Sequence, residues 1–155
     1  MWRGSTTTLR TAQEVLMGGK LETWALWVLA CVFAGVAGIG MCAPTVLFDP
    51  TGIALDTGAG AAEIRAAYGG LFGAVAYVFL DGAREPTRRR QALFVAVLVL
   101  GGFVLGRLVS WCVDGTPSAP VAIVNLAAES LGFVVVLFLW RVHQPSEDGS
   151  RRLPE

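Results

Sequence analysis

Charge is what this chain has least of. Only 15% of its 155 residues are Asp, Glu, Lys or Arg, and the twelve basic and twelve acidic side chains cancel to a formal net charge of zero. A phosphate-binding surface needs a clustered basic excess, so nucleic acid is excluded as a partner. With a single histidine, His143, and three cysteines, neither a zinc set nor a haem ligand pair can be assembled, and no metal or cofactor is expected. No nucleophile, metal set or cofactor motif accompanies the carboxylates, so the reading leans away from an enzyme.

What the chain does have is apolar length. Apolar residues make up 54% of it, with 19 glycines and a mean hydropathy of +0.60, well outside the soluble-globular norm. A hydrocarbon core about 30 Å thick asks for roughly 20 apolar residues per helix, and four such runs are present: Thr23 to Cys42, Glu63 to Leu80, Gln91 to Val113 and Pro120 to Trp140. The expected fold is all-α, an integral membrane, antiparallel four-helix transmembrane bundle over residues 23–141. A cytoplasmic N-terminal segment (1–22) precedes it; Leu9 to Met17 could make a short amphipathic helix there, although its apolar content is thin. A polar tail (142–155), with Pro145 and Pro154 near its ends, is expected to be disordered. The long polar lead and the absence of a small-x-small site before Pro44 argue against a cleaved signal peptide.

Basic residues set the expected orientation, because positively charged loops stay cytoplasmic. Arg3, Arg10 and Lys20 precede the first run, Arg84, Arg88, Arg89 and Arg90 lie between the second and third, and Arg141, Arg151 and Arg152 follow the fourth. From Pro44 to Ala62 there is no Lys or Arg, and the Asp114 to Pro120 turn has none either. Both termini are therefore expected inside, in the cell's inner (plasma) membrane, with Trp24, Trp27 and Trp140 in the inner aromatic belt and Trp111 in the outer one. The first outer loop contains two prolines and several glycines, which forbid a continuous helix across it. A helical piece around Thr51 to Leu55 fits there, and the loop is the expected lid for any outward-facing pocket.

Four charges interrupt the apolar runs: Glu63, Arg65, Arg107 and Glu129. Charge in a bilayer is costly unless it is paired or faces a cavity. On the third run Arg107, Ser110 and Asp114 recur at spacings of three and four, and on the fourth so do Asn125 and Glu129, each making one polar stripe. The stripes are expected to face each other through an Arg107–Glu129 ion pair, with Arg65 near Glu129 or Asp114 and Tyr68 lending a hydroxyl. Three roles stay open for this set: a packing device, a cavity for a polar head on an apolar body such as a lipid, sterol or quinone, or a proton or ion pathway. An arginine partner weighs against the last, because it holds Glu129 ionised.

Small residues and thiols complete the inventory. Gly69 and Gly73, and Gly102 and Gly106, are each four apart, which lets backbones approach and places the second helix against the third. Cys42 and Cys112 end the first and third runs on the expected outer, oxidising side. A Cys42–Cys112 disulfide and two unpaired cysteines are both compatible with that placement, and Cys31 is expected to be free.

Glu63-Ile-Arg65-Ala66-Ala-Tyr68-Gly69-Gly70, then Gly106-Arg107-Leu-Val-Ser110, Asp114-Gly115-Thr-Pro117-Ser118 and Glu129 together resemble a bacterial family of small four-helix membrane proteins catalogued as a domain of unknown function. The resemblance covers about residues 23–141. It implies that Glu63, Arg65, Tyr68, Arg107 and Glu129 act as a set, and it implies no reaction. More distantly, an arginine near the start of the second helix, a serine near the end of the third and a Gly-Thr turn are similar to the eukaryotic scaffold that gathers sterol C-4 demethylation enzymes; the different loop charges limit what that implies to architecture. The expected function is a non-enzymatic accessory or scaffold subunit of a larger membrane complex, with membrane lipids and other membrane proteins as partners. The alternative is a module that binds or transports a lipid-like small molecule through the Arg/Glu network.

Overall fold

The structure, a computed structural model, describes residues 5–48, 58–115 and 120–142, with side-chain surroundings in the first helix described from residue 19 onward. All described elements are helical. Helix α1 runs Ser5–Cys42, α2 is the short Pro44–Phe48, and α3 (Gly58–Ile64) passes through a π-helical segment, Arg65–Leu71, into α4 (Phe72–Arg84). A 3₁₀ turn, Pro86–Arg88, leads into α5 (Arg89–Asp114), and α6 spans Pro120–Val142. Four stretches are long and apolar enough to cross a membrane: Gly19–Cys42, Gly58–Arg84, Pro86–Asp114 and Pro120–Val142. The His143 to Glu155 tail and the Thr51 to Leu55 piece lie outside the described residues.

Helix α1 begins earlier than the sequence suggests. The polar lead and the first apolar run form one helix, because no proline interrupts them and the Gly18-Gly19 pair is carried within the helix. The structure places Glu22, Leu26, Ala30, Phe33 and Ala37 of α1 in the interior, at the three- and four-residue spacing of one helix face.

Local chemistry explains the breaks. Glu85, which precedes a proline, is extended at φ −107° and ψ 108°, as steric conflict with the proline ring requires. Its carboxylate accepts from Thr87 Oγ1 at 3.1 Å, capping a turn whose first residue, Pro86, has no N–H to satisfy. Helix α5 stops at Gly115, which takes φ +85°, a left-handed conformation that glycine adopts without a Cβ penalty.

The core is closed at the Lys20 end. Leu26, Ala30, Phe33, Ala76, Phe79, Leu93, Ala96 and Val136 are buried together there, and Phe94 meets Trp140 at 5.6 Å between ring centroids. The close approaches run through glycines. A methyl at Gly82 would collide with the Ala92 methyl, and one at Gly40 would lie 2.9 Å from Tyr68 Cβ. Gly69 faces Met41 and Gly73 faces Ala37, so this small-residue face of the second span packs on α1, whereas nothing lies within 4 Å of a Cβ built at Gly102 or Gly106. The expected meeting of those two glycine pairs is therefore not what the fold uses: the α4–α5 contact falls at Gly82 and Ala92, next to the tight turn that joins the two helices.

Candidate functional site

The two polar stripes converge. Arg107 Nε donates to Glu129 Oε2 at 2.5 Å and Arg107 Nη2 donates to Glu129 Oε1 at 2.8 Å, a two-pronged geometry that matches the planar guanidinium to the carboxylate. The pair joins the last third of α5 (Arg89–Asp114) to a point near the middle of α6 (Pro120–Val142). It is not sealed: the Arg107 side chain is 32% exposed and the Glu129 side chain 19%.

The other expected members fall at different distances from this pair. Tyr68, half-buried, lies within electrostatic reach of Arg107, and its ring is held edge-on by Phe48 at 4.9 Å and tilted against Phe72 at 4.9 Å. Ser110 donates to Asp114 Oδ2 at 3.0 Å along the same helix, and both are exposed. Asn125 is half-buried one turn from Glu129 on α6, and Glu63 is exposed on α3. Arg65 is a correction: it reaches neither Glu129 nor Asp114, and its Nε donates to the Met41 carbonyl at 3.2 Å. The physical reason is position. Arg65 opens the π-helical segment, whose main backbone neighbours are α1, α3 and α4, and the last carbonyls of α1 are acceptors that no longer have a helical partner.

The π-helical segment was not legible from the sequence. It places Tyr68 and Gly69 against the glycine notch at Gly40, and seven residues from Arg65 to Leu71 adopt the wider turn. Such segments are rare and recur at functional sites.

Burial along the helices outlines the space around the ion pair. On α5 the buried residues are Ala92, Leu93, Ala96 and Leu100, all before Arg107. On α6 they are Val136 and Leu139, both after Glu129. The α6 face that carries Glu129 also carries Ala122, Asn125 and Leu126 at helical spacing, and each of them is only partly buried. Toward the Cys42 end, then, the inward faces of α5 and α6 stay partly open. Three aromatic rings cluster together: Phe33 sits 5.2 Å from Phe72 and 6.4 Å from Phe103, and Phe72 sits 5.7 Å from Phe103. The ion pair thus stays partly exposed, one helical turn along α5 from the Phe103 end of this ring cluster.

A family match takes in every one of these residues. The family described as "Domain of unknown function (DUF4345)" covers residues 21–140. The chain belongs to this family. No curated protein and no solved structure matches it. The DUF4345 region thus contains the whole ion pair, the π-helical segment, the second and third spans, and all but the first two residues of the first span and the last two of the fourth.

Two features escaped the sequence reading. Glu22 is 3% exposed although it falls in what reads as the polar lead; the spacing Glu22, Leu26, Ala30 is the signal that would have assigned it to the buried face. Close by in sequence, the Gly19 carbonyl accepts from Thr23 Oγ1 at 2.8 Å and from Arg89 Nη1 at 3.4 Å, tying the α4–α5 turn to α1. Cys31, Cys42 and Cys112 are all free thiols and exposed, so the Cys42–Cys112 bridge is not formed in this structure. Among the described residues, no group of three His, Cys, Asp or Glu side chains is placed to hold a metal ion.

Proposed function

We propose that this protein is a non-enzymatic binding module for an amphipathic, lipid-like molecule, held beside Arg107 and Glu129. The single observation that carries the reading is that the ion pair, carried on two membrane-length apolar helices, remains partly exposed next to a cluster of aromatic rings. A charge pair left open to hydrocarbon is costly, and a ligand with a polar head lowers the cost by supplying hydrogen bonds. The guanidinium spends Nε and one Nη2 hydrogen on Glu129, and its remaining N–H groups are available to a carbonyl, hydroxyl or phosphate oxygen. The rings of Phe33, Phe72 and Phe103 suit the apolar body. In this reading the spans form an antiparallel four-helix bundle in the inner membrane, with both termini cytoplasmic and the ion pair in its outer half.

A second reading, an accessory subunit docked on another membrane protein, draws on a different face. Gly102 and Gly106 are exposed on α5 with open space above them, which would admit the backbone of a transmembrane helix. The resemblance to the sterol-enzyme scaffold supports this reading only as architecture.

Native mass spectrometry of the protein, extracted gently from its own membrane, separates the two. Binding predicts a stoichiometric small-molecule mass that Arg107→Leu and Tyr68→Phe reduce while the protein stays folded. Stoichiometric partner polypeptides with no retained small molecule would overturn the binding reading in favour of the accessory subunit.

A further inference from the structure

We propose a second, separate lipid site: the face of α1 turned away from the core binds one anionic phospholipid, its phosphate between Lys20 and Arg84 and an acyl chain along the helix. The observation behind it is a shallow, open and almost wholly apolar groove on the surface of α1 alone, formed by Thr23, Trp24, Trp27, Val28, Cys31 and Val32. At 100° per residue these positions centre on the side of α1 opposite Leu26, Ala30 and Phe33. The groove runs from Thr23 to Val32, about 14 Å at 1.5 Å per residue, close to half of a hydrocarbon core about 30 Å thick. One leaflet's chain fits that length.

The head end gives the site its selectivity. Lys20 is exposed and lies on the same line of α1 as Trp24, Trp27 and Cys31. The Arg84 guanidinium stacks on the Trp27 ring at 5.6 Å from the centroid, an arrangement that fixes a cation by its face and leaves its N–H edge to bond phosphate oxygens. Of the other cations of the turn, Arg88 pairs with Asp81 at 2.8 Å and Arg89 donates to the Gly19 carbonyl, while Arg90 is exposed on α5. Thr23 turns its hydroxyl back to Gly19 as well, so the groove itself offers an apolar wall. Two cations beside an apolar surface groove match a phosphate attached to a chain rather than free phosphate. A second copy seated on this face by two-fold symmetry would bring Lys20 and Arg84 against their own equivalents, and like charges oppose that contact.

The test is lipid retention by the full chain in nanodiscs of one part phosphatidylglycerol to several parts phosphatidylcholine, read by native mass spectrometry. One phosphatidylglycerol is expected to be retained in preference to phosphatidylcholine. Lys20→Gln and Arg84→Gln are each expected to cut the preference about fivefold, the ratio that one basic side chain near an anionic surface supplies, whereas Arg141→Gln, at the end of a different span, leaves it unchanged. Both substituted residues are exposed, so folding is not at stake. In a Cys42→Ser, Cys112→Ser background, phosphatidylglycerol is also expected to slow maleimide labelling of Cys31. Equal retention of both lipids, an unchanged preference in Lys20→Gln and Arg84→Gln, or an equal loss in Arg141→Gln would each overturn the site.

Discussion

Arg107 and Glu129 clasp each other through two hydrogen bonds across the α5–α6 interface. Removing one partner leaves a charge in an apolar setting, while removing both leaves none. Arg107→Leu and Glu129→Leu are each expected to destabilise the fold by about 2–3 kcal/mol, below the full cost of breaking a sealed pair because Arg107 is partly exposed. The double variant is expected to recover most of that loss. Unfolding in mixed detergent micelles checks this, and additive losses would show that the pair is not coupled.

At Gly82 an added methyl has no room, because Ala92 occupies the space. Gly82→Ala is expected to cost about 1–3 kcal/mol through overpacking. Gly102→Ala and Gly106→Ala, which meet nothing within 4 Å, are expected to be neutral or to stabilise by up to about 1 kcal/mol through helix propensity. Thermal unfolding of the three variants side by side reads the difference in sign.

Gly40 holds the π-helical segment in place. A Cβ there would approach Tyr68 Cβ to 2.9 Å and the Gly69 nitrogen to 3.2 Å, so Gly40→Ala is expected to push Tyr68 away from Arg107. Faster amide exchange over residues 65–71, with α4 unchanged, is the expected signature. Unaltered exchange in that segment would mean that the notch is not what positions Tyr68.

Free, exposed thiols at Cys42 and Cys112 give a direct test of orientation. A membrane-impermeant maleimide applied to intact cells is expected to label both, and non-reducing electrophoresis is expected to show no change in mobility. Labelling only after lysis would reverse the proposed orientation.

The helical class and the four membrane-length spans were legible in the sequence, because bilayer thickness and backbone hydrogen bonding leave few alternatives to an apolar 20-residue helix. The Arg107–Glu129 pairing was legible too, since both residues sit on polar stripes at helical spacing and the cost of a lone charge in lipid forces them together. Arg65 was assigned the wrong partner for a reason of the same kind. Sequence reading counted charges as the only acceptors, while the structure offered a nearer one, the Met41 carbonyl at the end of α1.

By itself, then, the sequence determined what is set by composition and period: helices, spans and the stripe each polar residue occupies. Tertiary structure decided what depends on which faces meet. It sent Gly69 and Gly73 to α1 rather than α5, buried Glu22 within the first helix, drew the chain through a π-helical segment beside Gly40, and left the ion pair partly exposed next to the cluster of Phe33, Phe72 and Phe103. Those outcomes rest on contacts between residues far apart in the chain, and a helical repeat, which relates only residues three or four apart, contains no information about them.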